Sequence, residues 1–322
     1  MRQEKAVPTE GIYIFKSCQI SAEYPGVESS TLYAFDKLGV KYFNDPMQCC
    51  CSGMGYYSDL FPYLTVVGLA ARNCALAVRS NHPNIAVFCS TCYAVNKKCT
   101  EILRENRAVY DRVNEILAGV GLHYGNELDV RAHHFSTVEI LWKLRKAIRE
   151  LAVVDLGGLT VAAHPACHYC KVFYEDVLTD PAFPTIQDEI AEELGARSIR
   201  RFQEKLLTCG AGFRQRFTNK AVSLAVTNAK LAELQKAGVD VLLHMCPNCH
   251  VQYDRYQPLL SQAVRTTYTM VHLHIQQLVA LVLGAHPYNV VGLQTHSVPV
   301  EPLLRKLGIE VPKEELACKS SS

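Results

Sequence analysis

The residues most able to do chemistry in this chain are its fourteen cysteines among 322 residues. They fall into two ordered sets. The first reads Cys18, then Cys49, Cys50 and Cys51 inside QCCCSGMG, then Cys89 and Cys92 of CSTC; the second reads Cys167, then Cys209 inside TCG, then Cys246 and Cys249 of CPNC. Cys18 to Cys167, Cys51 to Cys209 and Cys89 to Cys246 are 149, 158 and 157 positions apart, so the order is an internal repeat. Thiolates are soft ligands that select zinc, copper(I) or iron–sulfur clusters. Zinc is satisfied by four ligands, whereas Cys18, Cys50, Cys51, Cys89 and Cys92 offer five, and the adjacent Cys50 and Cys51 suit two irons better than one small ion. The first set therefore points to an iron–sulfur cluster. Gly53 and Gly55, directly after it, are expected to let the backbone approach closely with positive φ and to aim amides at cluster sulfurs.

In the second set Thr208 stands where the first has Cys50. Cys167, Cys209, Cys246 and Cys249 remain, which suits a cubane cluster or a zinc site, with Cys170 as an alternative source of a further thiolate. His164, His168, His244 and His250 flank these cysteines; an imidazole near neutrality moves protons to or from a substrate sulfur, and each is weighed against a purely structural role. Arg214 and Arg216 read either as anion binders or as an exposed helix face, and Lys97 and Lys98 as a solvated face. A metal-free redox pair at Cys89–Cys92 or Cys246–Cys249 leaves the additional cysteines of each set unexplained. Cys74, Cys99 and Cys318 read as small buried hydrophobes.

The elements that must position these cysteines alternate strand and helix. Gly11–Cys18, with Ile12, Tyr13, Ile14 and Phe15 in an unbroken apolar run, reads as a strand buried on both faces, followed by a helix over 29–38 that Gly39 stops. Val40–Phe43 is a second strand leading to the cysteine triplet, 60–78 a helix, Asn84–Phe88 a third strand ending at Cys89, and 93–117 a long helix. The order returns as a strand at Gly157–Ala163, a helix at Thr185–Leu194, a helix at Asn219–Ala237 stopped by Gly238, and a strand at Val239–His244 ending at Cys246. Met270–Leu283 reads as a core helix, with His272 and His274 structural. Two tandem cysteine-rich α/β domains follow, each a small parallel sheet flanked by helices, over 1–155 and 156–285, with 286–322 as a C-terminal extension. Ligands in such sheets collect beyond the carboxyl ends of the strands, where these cysteines fall.

A net charge of +2 implies neither nucleic acid nor an anionic membrane as partner. The N-terminal MRQEKAVPTEG has no apolar core of a secretory signal, so a cytoplasmic location is expected. Residues 271–285 are too short and too polar to span a bilayer. A reducing compartment disfavours disulfides, and no GxGxxG dinucleotide fingerprint occurs.

YIFKSCQISAEYPGVESSTLYAFDKLGVKYF, CCSGMG, LAARN and FCSTCYA in the first half, and AAHPACH, TCGAG and MCPNCHVQYD in the second, resemble the B subunit of heterodisulfide reductase, built from two "CCG" domains. The resemblance covers about Gly11 to Ala285. It implies a noncubane 4Fe-4S cluster on Cys18, Cys50, Cys51, Cys89 and Cys92, with Cys50 and Cys51 at the catalytic centre. It also implies a disulfide, thiol or persulfide substrate, an iron–sulfur C-type partner and a flavin A-type partner in the same complex. The second set would hold another 4Fe-4S cluster or zinc. Relatives in sulfur-oxidising heterodisulfide-reductase-like complexes make these one setting for the chain. The alternatives are an electron-transfer subunit of a lactate, glycerol-3-phosphate or succinate-type oxidoreductase, or a zinc-stabilised assembly module.

Overall fold

The computed structural model describes residues 5–126, 128, 130–212 and 214–311; Cys318 lies outside them. The first half runs β1 (Ile12–Phe15), α1 (Cys18–Glu23), α2 (Gly26–Lys37), β2 (Tyr42–Phe43), α3 (Gly53–Ser58), α4 (Tyr63–Arg79), β3 (Asn84–Val87), α5 (Ser90–Glu105), α6 (Arg107–Ala118), α7 (Val130–His133), β4 (His134–Ser136) and α8 (Thr137–Glu150). The second runs β5 (Thr160–Ala163), a π-helical turn at His168–Val172, α9 (Ile186–Glu193), β6 (Arg197–Ser198), α10 (Gln215–Thr218), α11 (Lys220–Lys236), β7 (Val241–His244), α12 (Pro247–Asp254), α13 (Gln257–Ala263), β8 (Val271–His274), α14 (Ile275–Val282) and α15 (Glu301–Lys306).

Two four-stranded sheets result, ordered β2-β1-β3-β4 and β6-β5-β7-β8. Every pairing is parallel, with Ile12 opposite Tyr42 and Asn84 in the first sheet and Val161 opposite Ser198 and Val241 in the second. Parallel strands covered by helices on both faces need continuous apolar runs. The sequences IYIF and VLLH supply them, and each is buried along its whole length. In each sheet the chain reverses direction of travel between the two central strands. That switch point opens a crevice at their carboxyl ends, just where Cys18 follows β1 and Cys89 follows β3, and where Cys167 follows β5 and Cys246 follows β7.

The α/β expectation holds, with three differences. Each sheet has four strands: β4 and β6, of three and two residues, are too short to show a period in the sequence, and β8 lies inside the run read as a helix. Residues 93–117 form two helices, since Asn106 ends α5 and caps α6 by accepting from the Val109 amide at 3.1 Å. Residues 270–283 are not one helix. Val271 and Leu273 alternate with His272 and His274 at the period of a strand, all four are buried, and the helix starts only after His274, which caps α14 together with Gln277.

The halves interlock. Helix α8 packs on α9 of the second half, and α14 packs on α2 of the first. Trp142 donates from Nε1 to Glu189 at 2.7 Å, the Tyr33 hydroxyl donates to the Leu283 carbonyl at 3.2 Å, and Gln276 joins α14 to Thr137 at the start of α8 at 2.8 Å. Residues 286–311 are not a loose tail but a strap along this seam, with Ser29 donating to the Val290 carbonyl and Lys306 paired with Asp240.

Candidate metal centres

In the first set the five thiols expected to bind metal converge. Cys18 and Cys50 place their sulfurs 3.2 Å apart, well beyond the roughly 2.05 Å of a disulfide. Cys51 contacts Cys50 and Cys92, and Cys92 contacts Cys89. The amide of Ser52 donates to Cys50 Sγ at 3.3 Å and that of Gly53 to Cys51 Sγ at 3.4 Å. Amides were expected here, but the left-handed residue is Ser52, at φ 56°, while Gly53 and Gly55 are the opening turn of α3. Glycine at 53 serves close approach instead: a Cβ there would sit 2.7 Å from Thr91 Cγ2 and 3.3 Å from Cys51 Sγ.

Hydrogen bonding from Cys18, then contact with Cys51, pulls the Cys50 thiol far below its usual range, and the Ser52 amide adds to this against the cost of burial. Burial pushes Cys74 and Cys99 up to about 12, so both stay protonated, as small buried hydrophobes should. Cys49 points elsewhere, to Asn73, which holds its backbone and its thiol.

The second set gathers at the other sheet. Cys209 contacts Cys249, and Cys249 contacts Cys246. These contacts, ahead of any backbone donor, lower Cys209 and Cys246 against the opposing effect of burial. Cys167 stands at the edge, with Cys246 and Cys209 as its nearest thiol charges. Cys170 does not join them: it lines a small separate cavity with Pro165, Ile186, Asp188 and Met245. The two sets adjoin: Cys246 is among the side chains that push the Cys89 thiol up, and Thr91 Oγ1 lies 3.8 Å from Cys246 Sγ. Soft donors, five in one group and four in the other, with amides aimed at two of the sulfurs, fit iron–sulfur ligation.

The flanking residues separate by role. His164, His244, His250, His272, His274 and His296 form a buried imidazole cluster beside the second sheet, with His244 and His250 stacked at 5.2 Å and Tyr24 stacked on His250 at 3.9 Å. Burial first, then the neighbouring imidazoles, hold His244 and His250 well below the usual range, so they are neutral. His168 lies on the outer side, its ring 4.9 Å from Tyr57 and its Nδ1 3.5 Å from Cys167 Sγ. Arg216 is not free for an anion: it donates to Gln252, to the Asn248 carbonyl and to Asn248 Oδ1, bracing the helix that carries Cys249. Arg214 is exposed and pairs with Asp59 across the mouth of the site. Lys98 is exposed as expected. Lys97 is not: it is 1% exposed and donates to Asp176 at 2.8 Å and to the Tyr93 hydroxyl at 2.9 Å.

An open cleft of roughly 430 Å³ is lined by Tyr56, Tyr57, Asp59, Phe61, Tyr63, Val66 and Arg214; no cysteine lines it, and Tyr57 is the wall residue that faces the two sets. Tyr57 links them, with Cys167 and Cys51 among the charges that act on its hydroxyl.

Residues 12–95 and 161–254 each match the cysteine-rich domain family called CCG. Over 96% of its length the chain is 46% identical to the whole of the B subunit of a ferredoxin:CoB-CoM heterodisulfide reductase from Methanosarcina acetivorans. It belongs to the heterodisulfide reductase B-subunit family. A heterodisulfide reductase B-subunit-like protein from Archaeoglobus profundus is 28% identical over 87% of this chain and 93% of its own. The membrane anchor subunit of an 8-methylmenaquinol:fumarate reductase from Wolinella succinogenes is 28% identical over 81% of this chain and 87% of its own. Among solved structures, a hypothetical protein from Helicobacter pylori shares the fold at a TM-score of 0.65 and 17% identity; the match takes in 91% of this chain and 52% of that one. Among the described residues, no helix of this B-subunit family member is long and apolar enough to cross a membrane.

Proposed function

We propose that the chain is the iron–sulfur catalytic subunit of a heterodisulfide-reductase-like complex, acting on a small disulfide. The observation that carries this reading is the convergence of Cys18, Cys50, Cys51, Cys89 and Cys92 on one switch point; the cleft walled by Tyr57, the residue that faces both sets, is large enough for a small-molecule disulfide. A noncubane 4Fe-4S cluster held by those five thiolates supplies one-electron exchange and an iron that accepts sulfur. The chain's own residues do the rest. Tyr56, Tyr57 and Phe61 give the cleft apolar walls for thioether and methylene groups. Arg214 exchanges Asp59 for a carboxylate or phosphate on the substrate, a geometry guanidinium favours. Cys51, Cys89 and Cys92 are buried away from bulk water, whereas Cys18 is exposed and Cys50 half-buried, so the open side of the centre lies at those two.

Cleavage takes two electrons and two protons per disulfide and releases two thiols. The electrons come from an iron–sulfur C-type partner fed by a flavin A-type partner. Cys167, Cys209, Cys246 and Cys249 hold a second centre, a 4Fe-4S cluster or zinc, adjoining the first at Cys89 and Cys246. A pure electron-transfer role is the second reading, favoured by the likeness to the fumarate reductase subunit.

Iron, acid-labile sulfide and zinc per chain, measured on anaerobically purified protein, test the proposal. About eight irons, or about four irons with one zinc, are expected, and Cys51→Ala removes about four of those irons. Addition of a small disulfide then changes the EPR spectrum of the oxidised first centre. A spectrum indifferent to disulfides favours the electron-transfer reading, and zinc without iron removes both.

A further inference from the structure

We propose that His164 is a ligand of the second metal centre, in place of the thiolate that Thr208 removes. The inference rests on the reading that the second set binds metal. The repeat itself frames the substitution. Counting back three residues from Cys18 and from Cys167 sets Phe15 opposite His164. The first half thus pairs five thiols with a buried phenyl ring, and the second pairs four thiols with an imidazole.

Geometry places that imidazole among the donors. One ring nitrogen of His164 and the sulfurs of Cys209 and Cys249 lie within 4.8 Å of one another, all in buried residues. This is the only such group of potential ligands among the described residues. Neither of the positions that could replace the missing thiolate reaches, and His168, the other imidazole beside this set, faces only Cys167 from the outer side. Cys170 is turned into its own cavity, and Thr208 is exposed.

The ring is also held as a ligand should be. Its backbone amide is fixed to the Leu243 carbonyl at 2.9 Å, extending the pairing of β5 with β7 by one residue, and its carbonyl accepts from Gln187 at 3.1 Å. Lys230 Nζ lies 3.0 Å from Nδ1 and 2.9 Å from the carbonyls of both Lys205 and Leu207. Nε2, the nitrogen that Lys230 does not engage, is the one left for a metal, while Lys230 bridges Nδ1 to the two carbonyls and holds the ring in place. A polar partner behind a metal-bound imidazole fixes the tautomer and the ring orientation. Mixed histidine and cysteine ligation occurs at zinc and at iron–sulfur centres, where histidine in place of cysteine raises the potential.

Protein grown on ¹⁵N-histidine and purified anaerobically provides the test. If the second centre is iron, hyperfine spectroscopy of its paramagnetic state is expected to show a directly bonded nitrogen; if zinc, absorption at the zinc edge shows one nitrogen in a shell otherwise of sulfur. His164→Gln abolishes that nitrogen signal. Should His164→Gln fail to fold, His164→Cys keeps the metal, loses the nitrogen and, for iron, lowers the midpoint potential of this centre alone. An all-sulfur shell in the wild type, or a nitrogen signal that survives in the variants, overturns the assignment. Absence of any metal on the second set in the wild type refutes instead the reading beneath it, which metal analysis reports separately.

Discussion

Lys97 occupies an environment that its type does not suggest. It stands in the first helix after a CxxC, among Asn96, Lys98 and Glu101, and nothing local marks it as interior. The helix itself sets Tyr93 one turn away, but only the fold brings Asp176, from the other half, to its ammonium. Breaking a buried pair by removing one partner leaves the other charge poorly compensated. Lys97→Met is expected to lower the unfolding free energy by about 3 kcal/mol at neutral pH, read from denaturant curves of the variant and the wild type. Burial, ahead of the repulsion from Lys5, pushes Lys97 down to about 8 from an ordinary 10.5. The unfolded chain therefore holds this proton to higher pH than the folded one, so the group's contribution to stability rises between pH 8 and 10.5. The gap between wild type and Lys97→Met should widen across that window; a gap that narrows would contradict the sign. The cysteines, by contrast, are legible one by one: soft donors at fixed offsets in a repeat announce a shared centre without any knowledge of the fold. His164 is legible only as a histidine near cysteines, since its nearness to Cys209 and Cys249 is made by the pairing of β5 with β7.

Elements show the same division. Strands β1, β3, β5 and β7, which end at the cysteine loops, are apolar runs and can be read directly. The edge strand β2 lies within the expected Val40–Phe43 but keeps only two of its residues, β6 has two residues, fewer than any period needs, and β8 hides at the head of a helix whose apolar character it shares. Helix α2 makes a contact that no local pattern foretells. Gly26 lies against the strap after α14, where a Cβ would stand 2.0 Å from the Val291 carbonyl oxygen and 2.7 Å from Gly292 Cα. These are backbone atoms, so no rotamer change can relieve the overlap. Gly26→Ala is expected to cost at least about 2 kcal/mol and to lower the melting temperature. Gly68→Ala in α4, where a Cβ meets nothing within 4 Å, should be neutral or stabilising. Equal effects of the two substitutions would show that α2 does not bear on the strap.

At the scale of the whole molecule the repeat is not two beads on a string. The last helix of each sequence half packs on the other half, α8 on α9 and α14 on α2. Buried charge follows the same exchange: Glu139 of α8 takes the ammonium of Lys5 at 3.1 Å and the hydroxyl of Tyr169, from the second half, at 2.8 Å. The two cysteine sets adjoin on this seam at Cys89 and Cys246, so the arrangement that holds the halves together also sets the distance between the centres. We propose the boundaries 1–155 and 156–285 as halves of the topology and not as independent folding units. A chain cut after Asp155 exposes the apolar faces of α2 and α8 in one piece and of α9 and α14 in the other, and it parts Glu139 from Tyr169 and Lys97 from Asp176. Each fragment expressed separately is therefore expected to lack a cooperative unfolding transition, while co-expression of the two restores a single transition and the metal content of the intact chain. A fragment that melts cooperatively by itself would mean that the exchanged helices decorate two self-sufficient domains, and that the closeness of the cysteine sets is a product of docking rather than of folding.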